Sequence, residues 1–514
     1  MPGRTPFFRE ITRTLAQTEA LRGRRNFLRL TAAAGIAATL GARAQEEGEK
    51  EKKPAKFPDG PVAVVGGGIA GLTAAYRLSK AGVEVHLYET LERFGGRIWT
   101  KKDFNKEGMF VELGGELVDS NHKDLLELAK ELGVEIQPLR EGEKGLDFYD
   151  FGGKLYTDKD VIAAFEPIGK RIAADAEGIY DASEEFTDKA RRLDEISLKD
   201  YFKTIGSGVD PWVTNMLEVA YVPEFGLDAE QQSSLNLIDF INPDTSEGFE
   251  IFGDSDEAHR VKGGNETLPQ AVHRAIKNKV KLHSGHRLTR IDDAGGKIKL
   301  TFAAAKGNVS PSYGHVVMAL PFTILRGIEG VEKIAFSDEK KRAIKEIGYG
   351  ANLKVMYGYT EPFWRKPAGG RDFFCNGSVY SDRPFQTFWE SSRAQSGKSG
   401  ILTNFMGGSP STRYTSERVE LFHAETDAIF PGLKAKVDGN RAMLNWNNVK
   451  TMKGSYSSPL VGQYTWVYEA AAAPELDGRM VFAGEHTSGE FPGFMNGGVD
   501  SGNRAARELL GEEA

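Results

Sequence analysis

Residues 61–89 read PVAVVGGGIAGLTAAYRLSKAGVEVHLYE. Residues 62–65 form a short apolar run bounded by glycine, the composition of a buried parallel strand. Gly66, Gly68 and Gly71 follow in GxGxxG spacing. Residues 72–80 then read as a helix with Leu72, Ala75, Tyr76 and Leu78 largely on one face. Residues 83–88 read as a second strand, and Glu89 stands at its end, 18 residues past Gly71. Glycines permit a tight turn and close approach of backbone to a pyrophosphate, and a helix N-terminus directs N–H groups at phosphate. A carboxylate after the second strand accepts hydrogen bonds from ribose hydroxyls. The order strand, GxGxxG, helix, strand, acid therefore predicts a nucleotide site for FAD or NAD, not for a 2′-phosphorylated ribose.

The rest of the composition narrows the class. A chain of 514 residues exceeds one compact core, so two or more domains are expected. The 59 glycines and 40% apolar content suit an α/β globular protein. Net charge is −7 with lysine and arginine interspersed, which leaves no footprint for nucleic acid or an anionic membrane. A single cysteine, Cys375, excludes an internal disulfide framework and any multi-cysteine metal site. The nine histidines are scattered. His283 and His286 are close, but no ligand set surrounds them, so no metal is expected.

Residues 1–44 read as an address. Arg24-Arg25-Asn26-Phe27-Leu28-Arg29 resembles a twin-arginine export signal, residues 31–40 are weakly apolar, and Ala42-Arg43-Ala44 fits a cleavage site. The apolar segment is too short for a stable membrane anchor. The expected partner is the twin-arginine machinery and the expected destination the periplasm or the outside, which suits a protein that folds around a nucleotide before export. Residues 45–58 alternate acids and lysines as a solvated linker.

Further on, RFGGR at 93–97 and FVELGGELVD at 110–119 add glycine pairs suited to backbone packed on a large flat ligand. The fork of Arg97 suits phosphate oxygens. Residues 123–132 read as an amphipathic helix, and 161–202 as charged helical sequence opening a second domain. Short strands are expected at 280–282, 288–291, 298–302, 315–320, 353–359 and 479–483. Residues 451–468 read as irregular and aromatic, and 494–510 as a glycine-rich start to a final helix.

Taken together, VVGGGIAGL with Glu89, RFGGRIWT, VELGGEL, KGGNETLP, IGYGANLKVMYGYTEPFW and FAGEHTSGEFPGFMNGGVDSGNRAAREL resemble the flavin-dependent amine oxidases, the family of monoamine, polyamine and L-amino-acid oxidases. The resemblance implies an α/β, two-domain fold: a Rossmann-like FAD-binding domain from 59–120, 256–322 and 450–514, and a mixed sheet-and-helix substrate domain from 121–255 and 323–449. It implies that Gly66, Gly68, Ala70 and Gly71 cradle the pyrophosphate, that Glu89 holds the ribose, and that Gly96 and Arg97 meet the phosphates. Gly114, Gly115, Glu116 and Leu117 would pass along the flavin, Leu288 would meet the adenine through its backbone, and Glu485 would bond the ribityl–phosphate part. Met495 and Val499 would lie at the pyrimidine end. Composition alone favours a snorkelling strand lysine at Lys354, but the flanking GANLKVMYGYTEPFW matches it to a family lysine that holds a water at flavin N5. Tyr456 and Phe494 match two facing aromatic walls, whose apolar character favours the free amine over the ammonium. Ser455 stands where some members carry a linking cysteine, so FAD is expected to be non-covalent.

The activity implied is FAD-dependent oxidation of primary amines: hydride passes from the α-carbon to flavin N5, the imine hydrolyses to a carbonyl compound and ammonia, and dioxygen becomes peroxide. Small-molecule amines or amino acids and dioxygen are the expected partners. The family allows a homodimer, which the sequence does not fix. Two other enzyme readings stand beside it, an L-amino-acid oxidase and a dehydrogenase or desaturase-like flavoprotein with another acceptor. A flavin-binding protein without turnover is a third. The Leu113–Leu117 segment lacks the arginine that amino-acid oxidases use for the substrate carboxylate. Asp119 reads either as an anchor for a distal ammonium or as a helix cap.

Overall fold

The computed structural model describes residues 58 and 60–512, apart from 143, 368, 369 and 416. The segment read as an export signal lies outside the described residues. Along the chain come β1 (Val62–Val65), α1 (Ile69–Lys80), β2 (Val85–Tyr88), α2 (Lys123–Glu131), β3 (Leu146–Phe151), β4 (Lys154–Tyr156) and α3 (Asp158–Ala176). Then follow α4 (Pro211–Phe225), α5 (Thr267–Ile276), β5 (Lys281–His283), β6 (His315–Met318), β7 (Asn352–Tyr359), β8 (Cys375–Ser381) and β9 (Thr387–Glu390). The last elements used here are β10 (Gly400–Gly407), β11 (Val437–Asn445), β12 (Met480–Phe482) and α6 (Met495–Leu510).

The first sheet has the strand order β12-β6-β1-β2-β5, and every pairing in it is parallel. Parallel strands must be covered on both faces, and Val62, Val64, Leu87, Val317 and Val481 bury one face under Leu72, Leu78, Val499 and Leu509 of α1 and α6. The other face packs Ala63, Val65, Val316, Met318 and Phe482 against Phe302 and Phe322. The α/β expectation is met, with strands shorter than the sequence suggested: β2 starts at Val85 and β6 stops at Met318.

Helix α1 begins earlier than expected, at Ile69. Gly68 is its N-cap in an extended conformation with no side-chain capping bond, so the first-turn N–H groups have no side-chain acceptor. Gly71 therefore sits inside the first turn. A Cβ built on it would lie 2.0 Å from Gly66 O, so its lack of a side chain seats the helix on the turn. Gly66, at φ +114°, makes the turn itself, and a Cβ there would meet Ala319 O at 2.5 Å. The final helix lies on α1 by the same device: a Cβ on Gly498 would meet Ile69 Cγ2 at 2.6 Å and one on Gly502 would meet Ala70 O at 2.5 Å.

The second sheet runs β11-β7-β10-β9-β8-β3-β4. It is antiparallel except where β8 meets β3. Its strand β7 lies between β10 and β11, and all eight of its residues are buried. Helices α3 and α4 pack with Tyr149 and Phe151 of β3 in a separate core. Among the described residues no helix is long and apolar enough to cross a membrane, and no group of three or more histidine, cysteine or acidic side chains could hold a metal ion.

Replacing Gly71 with alanine should force the helix off the turn at an overpacking cost of about 1–3 kcal/mol. The apparent melting temperature of Gly71→Ala should fall clearly below wild type; an unchanged melt would show that the turn yields to the methyl group.

Candidate active site

A cavity of about 580 Å³ lies against the carboxyl ends of β1 and β2 and extends to β7, β9 and β10. Ten of its lining residues are glycines, including Gly66, Gly68, Gly96, Gly114 and Gly115, so much of its wall is bare backbone. That position, at the carboxyl edge of a parallel sheet, is where open α/β folds bind ligands.

At the nucleotide side the lining includes Ala70, Glu89, Arg97 and Leu288. Glu89 is fixed by two backbone donors: Gly67 N at 2.7 Å to Oε2 and Leu91 N at 2.8 Å to Oε1. Burial raises its carboxyl above the usual range, and these donors and Arg93 oppose the rise. Leu288 is buried on the strand beyond β5. Gly114 has its Cα so close to the chain that a Cβ would fall 1.7 Å from Arg97 O, and a Cβ on Gly115 would strike Met495. Met495 lines the cavity from the start of α6.

Glu485 is expected from its motif to face a ligand, and it does line the cavity. Its oxygens, however, receive protein donors: Arg97 Nη1 at 2.8 Å, Ser457 N at 3.1 Å, Ser457 Oγ at 2.6 Å and Gly493 N at 2.7 Å. Burial opposes its ionisation, but the charge of Arg97 and the Ser457 and Arg97 donors outweigh it, and the carboxyl is held below its ordinary range. Arg97 also donates to Ser455 O at 2.8 Å. Glu485 thus fixes the residue after Tyr456 and the residue before Phe494 together with the arginine.

Tyr456 and Phe494 both line the cavity. Tyr456 Oη donates to Glu224 O at 2.7 Å and Pro223 O at 3.1 Å, carbonyls in the last turn of α4, where the helix ends at Gly226. Asn352 ties the same turn to the site: its Nδ2 donates to Pro223 O at 2.7 Å and its Oδ1 accepts from Ser455 Oγ at 2.6 Å. Phe494 packs against the His122 ring, centroid to centroid 5.1 Å.

Lys354 is not a snorkelling lysine. It is 3% exposed in the middle of β7, donating to Gly114 O at 3.1 Å and to Glu116 Oε2 at 2.7 Å. Its Nζ stands 5.2 Å from the Trp389 ring centroid. Glu116, expected only to pass along a ligand, is the lysine's counter-ion. Burial pushes its carboxyl up, but Lys354, the Ser391 hydroxyl and Arg260 outweigh that and hold it below its ordinary range.

Three expected residues stand outside the cavity. Gly71 packs helix against turn. Val499 is fully buried under the first sheet, because the face of α6 that carries it points at α1. Asp119 does not line the cavity and is not a cap: the N-cap of α2 is His122, without a side-chain capping bond. Its carboxylate accepts from Ser255 Oγ at 2.8 Å and Glu257 N at 2.9 Å. Burial, with Glu257 and Asp256 nearby, raises it to about 7. Glu257, at φ +48°, is the residue that reaches the cavity instead. Sequence reasoning also missed Glu224, Phe225, Trp389, Phe405 and Trp446 in the lining; Glu224 and Phe225 end α4 and Trp446 begins a 3-10 turn, none within a motif, and only the pairing of β9 and β10 beside β7 brings Trp389 and Phe405 in.

The residues fit a bound flavin nucleotide. A long cavity walled by glycine backbone starts at an uncapped helix N-terminus beside a fixed ribose-type carboxylate, and the indole N–H of Trp389 is buried with no acceptor among the described residues. Cys375 is buried on β8, bonded toward Ser378 O, and does not line the cavity.

Comparison with known proteins agrees. The family model described as flavin containing amine oxidoreductase matches residues 69–510. The flavin-containing amine oxidase A of Equus caballus is 27% identical over 480 residues, covering 87% of this chain and 84% of that protein. A nicotine dehydrogenase of Pseudomonas putida is 26% identical over 492 residues and is covered to 93%, as is this chain. Among solved structures, cyclohexylamine oxidase from Brevibacterium oxydans superposes with a TM-score of 0.74 at 21% identity, covering 88% of this chain and 99% of that one; a putrescine oxidase gives 0.73 at 20%, with the same coverage. The chain therefore belongs to the flavin containing amine oxidoreductase family and takes FAD as its cofactor.

Proposed function

We propose that the protein is an oxidase of primary amines that holds FAD non-covalently. The overall reaction is amine, dioxygen and water to carbonyl compound, ammonia and hydrogen peroxide. The observation that carries this reading is the meeting of a buried lysine, Lys354, with two aromatic side chains, Tyr456 and Phe494, in the lining of one glycine-walled cavity.

FAD, when bound, supplies the acceptor for the substrate's two electrons. The chain's own residues do the rest. Gly66, Gly68 and the uncapped start of α1 receive the pyrophosphate, Glu89 the ribose, and Arg97, oriented by Glu485, the phosphates. Tyr456 and Phe494 form apolar walls that disfavour the ammonium by desolvation, so the amine arrives with its lone pair free. Lys354 spends two of its three N–H donors on Gly114 O and Glu116, and the third holds a water for the imine's hydrolysis. The residues 59–120, 256–322 and 450–514 make the FAD half, and 121–255 with 323–449 the substrate half.

The lining favours an amine without a carboxylate. Arg97 and Lys354 already face Glu485 and Glu116, so neither is free to pair with a substrate carboxylate. A peroxide-coupled screen of n-butylamine, benzylamine, 1,4-diaminobutane and L-leucine should respond to the amines and not to L-leucine; turnover of L-leucine alone would overturn the assignment. Lys354→Met should keep its FAD and lose about tenfold or more in rate, about 1.4 kcal/mol of barrier; a wild-type rate would remove the lysine from the mechanism. Glu89→Ala should lose charge-assisted hydrogen bonds of ~1.5–3 kcal/mol and be purified with substoichiometric FAD, full occupancy being the contrary result.

We propose too that residues 1–44 direct export by the twin-arginine route to the periplasm or beyond. The motif is Arg24-Arg25 ahead of Phe27-Leu28. Replacing both arginines with lysine should leave the full-length precursor in the cytoplasm; unchanged export would refute the signal.

A further inference from the structure

Lys354 has a counter-ion that its motif does not foretell. The Lys354 and Glu116 side chains are 4% and 3% exposed, with Nζ 2.7 Å from Oε2. The other oxygen of Glu116 accepts from Ser391 Oγ at 2.5 Å, and Ser391 in turn bonds Thr403 Oγ1 at 2.6 Å. The pair joins the two sheets' halves of the cavity: Glu116 lies on the loop after the short strand Val111–Glu112, Lys354 on β7. The other charged groups that act on Glu116 are Arg260, which donates to Ser391 O and Arg393 O, and the acids Glu112 and Glu257.

We propose that Glu116 is a positioning residue that sets how readily this site passes electrons to dioxygen. It fixes where Nζ points and opposes its charge from 2.7 Å. The inference rests on the proposed function above, with Lys354 in the same cavity as the bound FAD. Dioxygen becomes hydrogen peroxide by taking two electrons and one proton from the reduced cofactor and one proton from solvent. The first electron makes superoxide, an anion. A fixed cation beside a developing anion lowers the barrier to its formation, and a cation already neutralised by a carboxylate lowers it far less. Glu116 therefore restrains oxygen reactivity, and any member of this site's design without the carboxylate reacts faster with oxygen.

The test needs no amine. FAD-loaded protein is reduced anaerobically by light and EDTA, then mixed with oxygenated buffer in a stopped-flow instrument. Glu116→Gln should reoxidise about tenfold faster or more at about pH 6, and should bind sulfite, whose flavin adduct is stabilised by the same positive charge, about tenfold more tightly. In a Lys354→Met background the Glu116→Gln change should alter neither reading. Glu116→Ala serves as the second variant if the glutamine protein fails to fold or load FAD. A variant with full FAD content whose reoxidation and sulfite affinity equal wild type, or whose reoxidation slows, overturns the proposal. So does an equal gain in the Lys354→Met background. Failure of the amine assignment would appear separately, as no reduction by any amine in the wild type.

Discussion

One buried carboxylate holds the site together. Glu485 accepts from Arg97, from Ser457 through both backbone and hydroxyl, and from Gly493. Those donors come from three distant parts of the chain, each next to something the cavity needs: the arginine itself, Tyr456 and Phe494. A buried carboxylate left without donors is costly, so the three segments are held to one arrangement. The same economy appears at Asn352, which joins Ser455 to the last turn of α4, whose carbonyls then fix the Tyr456 hydroxyl.

The second constraint is steric. Gly66, Gly71, Gly114, Gly498 and Gly502 each stand where a Cβ would meet backbone or a packed side chain at 2.6 Å or less. The cavity's long wall is therefore backbone, and the two helices that carry its ends lie in direct contact. Charge is treated the same way. Lys354 and Arg97 point inward with Glu116 and Glu485 to meet them, so these two cations enter the cavity as ion pairs, and Tyr456, Phe494, Trp389 and Phe405 give it apolar wall.

Much of this was legible in the sequence because it is local. The turn at Gly66, the helix after it, Glu89 and the glycine pairs follow from residues that contact one another within a short span. The burial of β7 was half legible: Val355, Met356, Tyr357 and Tyr359 mark an inner strand, yet only the pairing with β10 and β11 shows that a lysine there is enclosed and cannot snorkel to the surface. What stayed hidden depends on long-range meeting. Glu116 and Lys354 are 238 positions apart. Asp119 resembled a cavity acid, but the turn around it points its carboxylate at Ser255 and Glu257 N and sends Glu257 into the cavity in its place. Glu485 was read as a ligand contact because its motif marks a site, and the motif does not say that the carboxylate is spent on the protein.

The central claim is that this cavity brings a neutral amine to FAD between Tyr456 and Phe494, under Lys354. It is tested most directly by adding an amine to the FAD-loaded protein in the absence of oxygen and following the flavin's visible absorbance. The account predicts that benzylamine or n-butylamine bleaches the flavin and that no oxygen is needed for the bleaching. A flavin that stays fully oxidised with every amine offered would contradict it.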